Sequence, residues 1–371
     1  MRLVITGGGT GGHVYPGLAV AQVLENAHRG LGEVLFIGGQ KGMDAELVSR
    51  GGLAFMGIWA GGLRDGSLGS LFLNIGKIVG GMIQAFFILG RFRPQAIMAT
   101  GGYVSVPVVL AGWVRGIPSM VYLPDVEPGL AVRLLARFAR RVAVSSPRPV
   151  YGGLLPPDKV VETGYPVRRE LLLVDKASAR ERLGLDPSLK TLLVLGGSRG
   201  SHSINEAVAQ ALPQLLSICQ VVHLCGVTDE GWLSGQRQAL EEGLRARYHI
   251  YSYLHEGMAD ALVAADLAVS RAGASVLGEF PAVGLPSILV PYPYAGKHQG
   301  RNADFIVKAG AAVRLDDGAL HGLLPQVEQL LRDEAGLDNM SRCARRLFRP
   351  EAAESLAGLL KAVGEGINVH A

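Results

Sequence analysis

Residues suited to chemistry concentrate in three stretches of this chain. In the first, a β-type run (Leu3-Val4-Ile5) ends in Thr6-Gly7-Gly8-Gly9-Thr10-Gly11-Gly12-His13 and opens into a helical run through Ala19-Val20-Ala21-Gln22. The second, Leu195-Gly196-Gly197-Ser198-Arg199-Gly200, follows Leu192-Leu193-Val194 and continues to Ala207-Val208-Ala209-Gln210. A strand, glycine turn and helix leave backbone N–H groups free at the positive end of a helix dipole, which suits phosphate. One such loop is a weak signal. Two of them, each near the start of its half, predict two Rossmann-like domains facing each other across a cleft.

The third stretch is Ser270–Asn302. After a strand come Arg271-Ala272-Gly273, then a helix expected to begin at Ala274-Ser275-Val276 with Glu279 one turn inside. Small residues let a pyrophosphate approach the helix N-terminus, Arg271 offers a second charge, and Glu279 is spaced to accept hydrogen bonds from a ribose diol. Pro291-Tyr292-Pro293-Tyr294 forms a rigid loop ahead of His298, Gln299 and Asn302, whose amides and imidazole suit neutral sugar hydroxyls. His13 opens the first helix, and a neutral imidazole there can serve as a base.

Other nucleotide readings fit less well. Gly7, Gly9 and Gly12 spell G-x-G-x-x-G, but the second strand ends Gly38-Gly39-Gln40-Lys41, without the carboxylate a dinucleotide site uses for ribose. His13-Val14 stands where an ATP-binding loop needs Lys and Ser/Thr.

Alternating strands and helices position these loops. Strands are expected at Leu3–Thr6, Val34–Ile37, Ala96–Ala99, Ser119–Tyr122 and Val142–Ser145 in the first half. In the second half they fall at Thr191–Leu195, Gln220–Leu224, His249–Tyr253, Leu267–Ser270, Ser287–Val290 and Ala312–Leu315. The 371 residues accommodate an N-terminal domain over 1–163 and a C-terminal domain over 164–349. The final segment, 350–371, is expected to pack back on the first domain.

A net charge of +4 is too small to argue for nucleic acid, and the three cysteines, without a C-x-x-C pair, give neither a disulfide framework nor a zinc site. No signal-peptide core precedes the first glycines, which points to a cytoplasmic protein. Mean hydropathy is high at +0.27, yet the uncharged run Ile78–Gly90 is short of the ~20 residues a spanning helix needs. Within Leu71–Leu89, Asn74, Lys77, Gly81 and Gln84 share one helical face, and Leu71, Phe72, Ile75, Ile78, Val79, Met82 and Phe86 cover the rest. Two readings fit: a core helix, or an apolar patch rimmed by Arg64, Arg91 and Arg93 resting on an anionic leaflet.

Together with Gly101-Gly102-Tyr103-Val104-Ser105, Pro166-Val167-Arg168 and Gly284-Leu285-Pro286, these motifs resemble the MurG family of glycosyltransferases, in order and over essentially the whole chain. The resemblance implies a GT-B fold that takes UDP-N-acetylglucosamine on the second domain. It implies transfer of N-acetylglucosamine to the 4-hydroxyl of the muramoyl sugar of lipid I, an undecaprenyl-pyrophosphoryl-muramoyl-peptide. Lipid II forms with inversion, at the cytoplasmic face of the membrane, as a step of peptidoglycan synthesis. No cofactor or metal is implied, and no Asp-x-Asp motif is present. By the same resemblance Glu279 holds the ribose, and Ala274, Ser275, Val276, Ser198 and Arg271 surround the diphosphate. Arg168 and Leu254 lie near the uracil, and His298, Gln299 and Asn302 near the sugar. Thr10, Gly11, Gly12, His13 and Tyr103 line the acceptor side.

The chain departs from the family pattern in two places. Tyr122-Leu123-Pro124-Asp125 replaces the usual His-Glu-Gln-Asn, and Gly164-Tyr165-Pro166 replaces Gly-Asn-Pro. The base is therefore His13 or Asp125, with Glu127 as a substitute for the latter. Two alternatives stand beside this reading: a related transferase with another lipid or glycoside acceptor, and a non-catalytic sugar-nucleotide-binding protein.

Overall fold

A computed structural model describes residues 1–9, 11–27, 33–40, 44–61, 68–197, 200–254, 257–294 and 298–367. Two compact units are present, one formed by Met1–Arg168 with Arg349–Ala371 and the other by Arg169–Phe348.

The first unit is built on a parallel sheet of β1 (Arg2–Gly7), β2 (Glu33–Gly39), β3 (Ala54–Ile58), β4 (Ala96–Gly101), β5 (Ser119–Leu123), β6 (Arg141–Val144) and β7 (Val160–Glu162). Their order is β3-β2-β1-β4-β5-β6-β7, and Val4 of β1 pairs Leu35 on one side and Ile97 on the other. Central strands are buried on both faces, as aliphatic parallel strands must be when helices cover both sides. Side-chain alternation divides the core. Val4 joins a layer with Ala85 and Leu89 of helix Leu68–Phe92, whereas Leu3 and Ile5 pack with Val14 and Leu18 of helix Gly11–Ala27. Leu356 and Leu360 of the last helix, Ala352–Glu365, complete this second layer.

β3 and β7 fall outside the strands expected from the sequence. Both are edge strands: β3 is partly exposed and carries Gly57, and β7 has only three residues, so neither shows a long apolar run.

The second unit repeats the plan with β8 (Thr191–Leu195), β9 (Gln220–Leu224), β10 (Tyr248–Tyr251), β11 (Leu267–Ser270), β12 (Ser287–Leu289) and β13 (Ala312–Arg314). Their order is β10-β9-β8-β11-β12-β13. The winding direction reverses between β1 and β4 and again between β8 and β11, the positions outside whose C-terminal ends doubly wound sheets bind ligands.

Helix Leu68–Phe92 is oriented against its sequence pattern. Among its described side chains Asn74, Gly81, Ala85 and Leu89 are buried, with Met82 and Phe86 packed on the core. Asn74, Gly81 and Gln84 of the polar face turn toward the chain after β3, while Lys77 stays exposed. Gln84 Oε1 accepts the Trp59 N–H at 2.8 Å, and a side chain at Gly81 would collide with the Trp59 carbonyl. An apolar stripe is left outside: Val79, Ile83 and Phe87 are 52%, 54% and 71% exposed. Among the described residues no helix is long and apolar enough to cross a membrane.

Candidate functional site

The first glycine loop follows β1 at the reversal point, and a carboxylate holds it. Asp44 is buried at the start of helix Asp44–Arg50 and accepts the Gly9 N–H at 3.1 Å and the Gly39 N–H at 3.4 Å. A side chain at Gly8 would run into the Asp44 carboxylate. The Gly9 N–H is thus engaged internally, and the start of helix Gly11–Ala27 supplies further backbone donors. Asp44 has no sequence signature, since only the pairing of β1 with β2 brings it to the loop.

His13 is half-buried in the first turn of that helix, and its Nδ1 lies 2.9 Å from the Thr100 carbonyl oxygen. A carbonyl only accepts, so Nδ1 carries the proton and, in the neutral ring, Nε2 presents a lone pair. Gly101 and Gly102 adopt φ of +113° and +80°, and side chains there would meet the His13 ring and the Gly8 carbonyl. That requirement explains the glycine pair after β4, which leads into Tyr103 and the buried Ser105. Thr10 lies outside the described residues.

Asp125 stands half-exposed after β5. β1 and β5 both flank β4, so the strand ends carrying His13 and Asp125 lie roughly 10 Å apart. The two departures from the family pattern meet in the core. Tyr122 and Tyr165 are buried edge-to-face with ring centres 6.5 Å apart, and Tyr122 Oη donates to the Gly164 carbonyl at 3.3 Å. Burial pushes the Tyr122 phenol well above its ordinary pKa, so it is a packing residue rather than a proton acceptor. Glu127 pairs with Arg133 at 3.5 Å. Arg168 belongs to the first unit and places its guanidinium 4.6 Å over the Tyr15 ring.

In the second unit Gly196 and Gly197 follow β8, and Arg271–Gly273 follow β11, on the two sides of the reversal. Ser198 lies outside the described residues. Beside that loop the Ser201 Oγ is buried without a hydrogen-bond partner among the described residues. Hydrogen bonds order the helix that follows, His202–Gln210. Tyr248 Oη donates to His223 Nδ1 at 2.8 Å, His223 Nε2 donates to Asn205 Oδ1 at 2.9 Å, and Asn205 Nδ2 donates to Asp229 Oδ2 at 2.7 Å. Burial lowers the His223 pKa to about 3, so the ring is neutral and each direction is fixed. His202 Nδ1 closes the chain on Asp229 at 3.0 Å.

Arg271 is committed to its own unit. Its guanidinium is buried, bonds Asp317 at 2.6 Å and Ser203 Oγ at 2.8 Å, reaches the carbonyls of Val290 and Pro291, and lies 5.2 Å under the Tyr292 ring. Its charge is already compensated by Asp317, which makes it a brace between the β11 loop and the Pro291–Tyr294 loop.

The helix expected at Ala274 is two short pieces, a 3-10 turn Ala274–Leu277 and a helix Glu279–Val283 with a break at Gly278. Pro281 explains the break, since it has no N–H for the Leu277 carbonyl and its ring crowds that group. Glu279, half-buried, therefore opens the second piece instead of lying inside one helix. Gln299 Oε1 accepts the Tyr292 N–H at 2.8 Å, which assigns the other end of the amide as the NH₂ donor. Asn302 is fully buried and donates to the Ala272 carbonyl at 3.0 Å, bracing the β11 loop from behind. His298 and Leu254 are half-buried at the same sheet end.

A cavity of about 470 Å³ lies at the opposite sheet end, beside Lys190, Asp266 and Pro286, which precede β8, β11 and β12. Beside it Asp266 pairs with Lys176 and Arg180 at 2.7 Å each, and Lys190 with Glu334 at 3.1 Å. The cavity lies at the other end of the sheet from the β8 and β11 loops of the same unit. Among the described residues no three His, Cys, Asp or Glu side chains converge on a metal position.

Residues 3–144 match the glycosyltransferase family 28 N-terminal domain, and residues 191–356 match its C-terminal domain. A UDP-N-acetylglucosamine–N-acetylmuramyl-(pentapeptide) pyrophosphoryl-undecaprenol N-acetylglucosamine transferase of Roseiflexus sp. is 42% identical, over 97% of this chain and 94% of its own. A protein of the same name from Moorella thermoacetica is 40% identical over 99% of this chain and all of its own length. The crystal structure of Acinetobacter baumannii MurG superposes with a TM-score of 0.73 at 26% identity, covering 97% of this chain and 99% of that one. With two doubly wound parallel sheets and full-length similarity of this degree, the chain is a GT-B protein and belongs to the MurG family of glycosyltransferases.

Proposed function

We propose that the protein transfers N-acetylglucosamine from UDP-N-acetylglucosamine to the 4-hydroxyl of the muramoyl sugar of lipid I, giving lipid II. The observation that carries this is full-length similarity, at 36–42% identity, to relatives that share one transferase name. In the reaction the acceptor oxygen attacks the anomeric carbon, the bond to UDP breaks on the opposite face, and the hydroxyl proton passes to a base. His13 Nε2 is the first candidate for that base and Asp125 the second. On the donor side the backbone at Ala274–Val276 faces the diphosphate, with Ser198 and the buried Ser201 hydroxyl from the β8 loop. Glu279 accepts from the ribose, and the NH₂ of Gln299 reads the sugar. Arg271 and Asn302 brace these loops from within the unit. UDP release from UDP-N-acetylglucosamine is expected only when a lipid I analogue is present. Donor binding without turnover would favour a binding protein, and turnover with other acceptors alone would reassign the substrate.

The membrane-facing surface in this proposal is the outer stripe of helix Leu68–Phe92. Helix Ser105–Val114, packed against it, exposes Trp113 and Val114, and helix Leu130–Phe138, packed against that one, exposes Leu130 and Leu134. Lys77, Arg91, Arg133 and Arg137 are exposed on the same helices. Each cation near an anionic leaflet contributes about 1 kcal/mol, and inserted apolar groups add to it. The testing pair is Ile83 and Phe87, because Met82 is packed on the core. Ile83→Ser with Phe87→Ser is expected to release the protein from phosphatidylglycerol vesicles while sparing activity on a short-chain soluble acceptor. Unchanged sedimentation with the vesicles would remove this surface from the membrane.

A further inference from the structure

Asp125 lies on a stretch without regular structure, residues 124–129, between β5 and helix Leu130–Phe138. Such a segment gives a carboxylate no fixed direction by itself. Two hydroxyls supply one. Ser145 Oγ donates to the Pro124 carbonyl at 2.7 Å, and Tyr151 Oη donates to the Asp125 carbonyl at 3.2 Å. Tyr151 Oη also accepts the Ser146 N–H at 3.2 Å, so its own position is set by the end of β6. Its ring is buried among Leu123, Val142, Val144 and Leu155. Burial raises the phenol pKa, which keeps the hydroxyl protonated and donating.

The two pinned carbonyls are consecutive. The Pro124 carbonyl belongs to the peptide plane before the Asp125 Cα, and the Asp125 carbonyl to the plane after it. Because each peptide unit is rigid and planar, fixing both planes fixes φ and ψ at Asp125, and with them the direction of its Cβ. We infer that Tyr151, assisted by Ser145, is the positioning residue for Asp125, holding that carboxylate in place for the acceptor. The inference rests on Asp125, the second candidate named above, acting on the acceptor. Tyr151 touches no substrate and acts only through the backbone of the loop.

The test is a double-mutant cycle on kcat with a lipid I analogue, using the wild-type protein, Tyr151→Phe, Asp125→Asn and the double variant. Tyr151→Phe keeps the ring and removes the hydroxyl. It is expected to lower kcat about tenfold, since a small misplacement of a reacting group has effects of that order. UDP affinity is expected to stay unchanged, and Tyr151→Phe is expected to have no further effect in the Asp125→Asn background. Equal losses in both backgrounds would mean a general structural effect and overturn the inference alone. A wild-type kcat for Tyr151→Phe would also overturn it. A wild-type kcat for Asp125→Asn would remove the role of Asp125 and the inference with it. If Tyr151→Phe does not fold, judged by thermal melting, Ser145→Ala takes its place in the cycle with the same expectations.

Discussion

His13→Ala is expected to lower kcat by about 10²–10⁴, the range for loss of a positioned general base, with UDP affinity unchanged. The geometry makes the expectation specific. The Thr100 carbonyl fixes the tautomer, and the ring lies where a Gly101 side chain would otherwise be, so Nε2 is held in one direction. Thr100 Oγ1 bonds the backbone carbonyl of His13 and not its ring, so this anchor of the helix start survives truncation to alanine. The residues proposed for the diphosphate and ribose, Ala274–Val276 and Glu279, belong to the other unit and lose nothing directly. Steady-state kcat and calorimetric UDP binding on the same preparations check both parts. Asp125→Asn measured alongside decides the assignment, because a larger loss there than at His13 would make the aspartate the base.

What the sequence conveyed here was local, and what it concealed was brought together by the fold. Both glycine loops, the six strands of the second unit and five of the seven in the first were legible, because each has its own apolar run or turn residues within a few positions. Asp44 was not, since it meets the Gly9 N–H only after β1 and β2 pair. Arg271 read as a cation for phosphate because it borders a small-residue loop. Asp317, 46 residues further on, occupies that charge, and sequence spacing contains nothing of the contact. Helix Leu68–Phe92 misleads in a different way. Amphipathic patterning assumes that polar side chains seek water, but here Gln84 turns inward to satisfy the Trp59 backbone, and the apolar stripe is left outside. The paired departures Tyr122 and Tyr165 were visible as substitutions, whereas their contact, which marks them as core packing, was not.

Glu279→Ala is expected to raise the donor KM and the UDP dissociation constant by about 5- to 150-fold, with kcat much less affected. Removing a charged acceptor from a half-buried site costs about 1–3 kcal/mol, and a contact made equally in ground and transition states appears in KM. The break at Gly278 is what makes this position special. A continuous helix from Ala274 would place residue 279 more than a turn inside, but Pro281 ends the first piece and leaves Glu279 at the head of the second. Buried Phe280 and Val276 on either side support the turn, so truncating the carboxylate leaves the local packing in place. The ribose assignment has its own control. Against 2′,3′-dideoxy-UDP, which has no diol to donate, wild-type and Glu279→Ala proteins are expected to bind within about twofold of each other, each held by the diphosphate and uracil alone. An undiminished gap between the two proteins with the dideoxy nucleotide would show that Glu279 acts on the loop and not on the ribose.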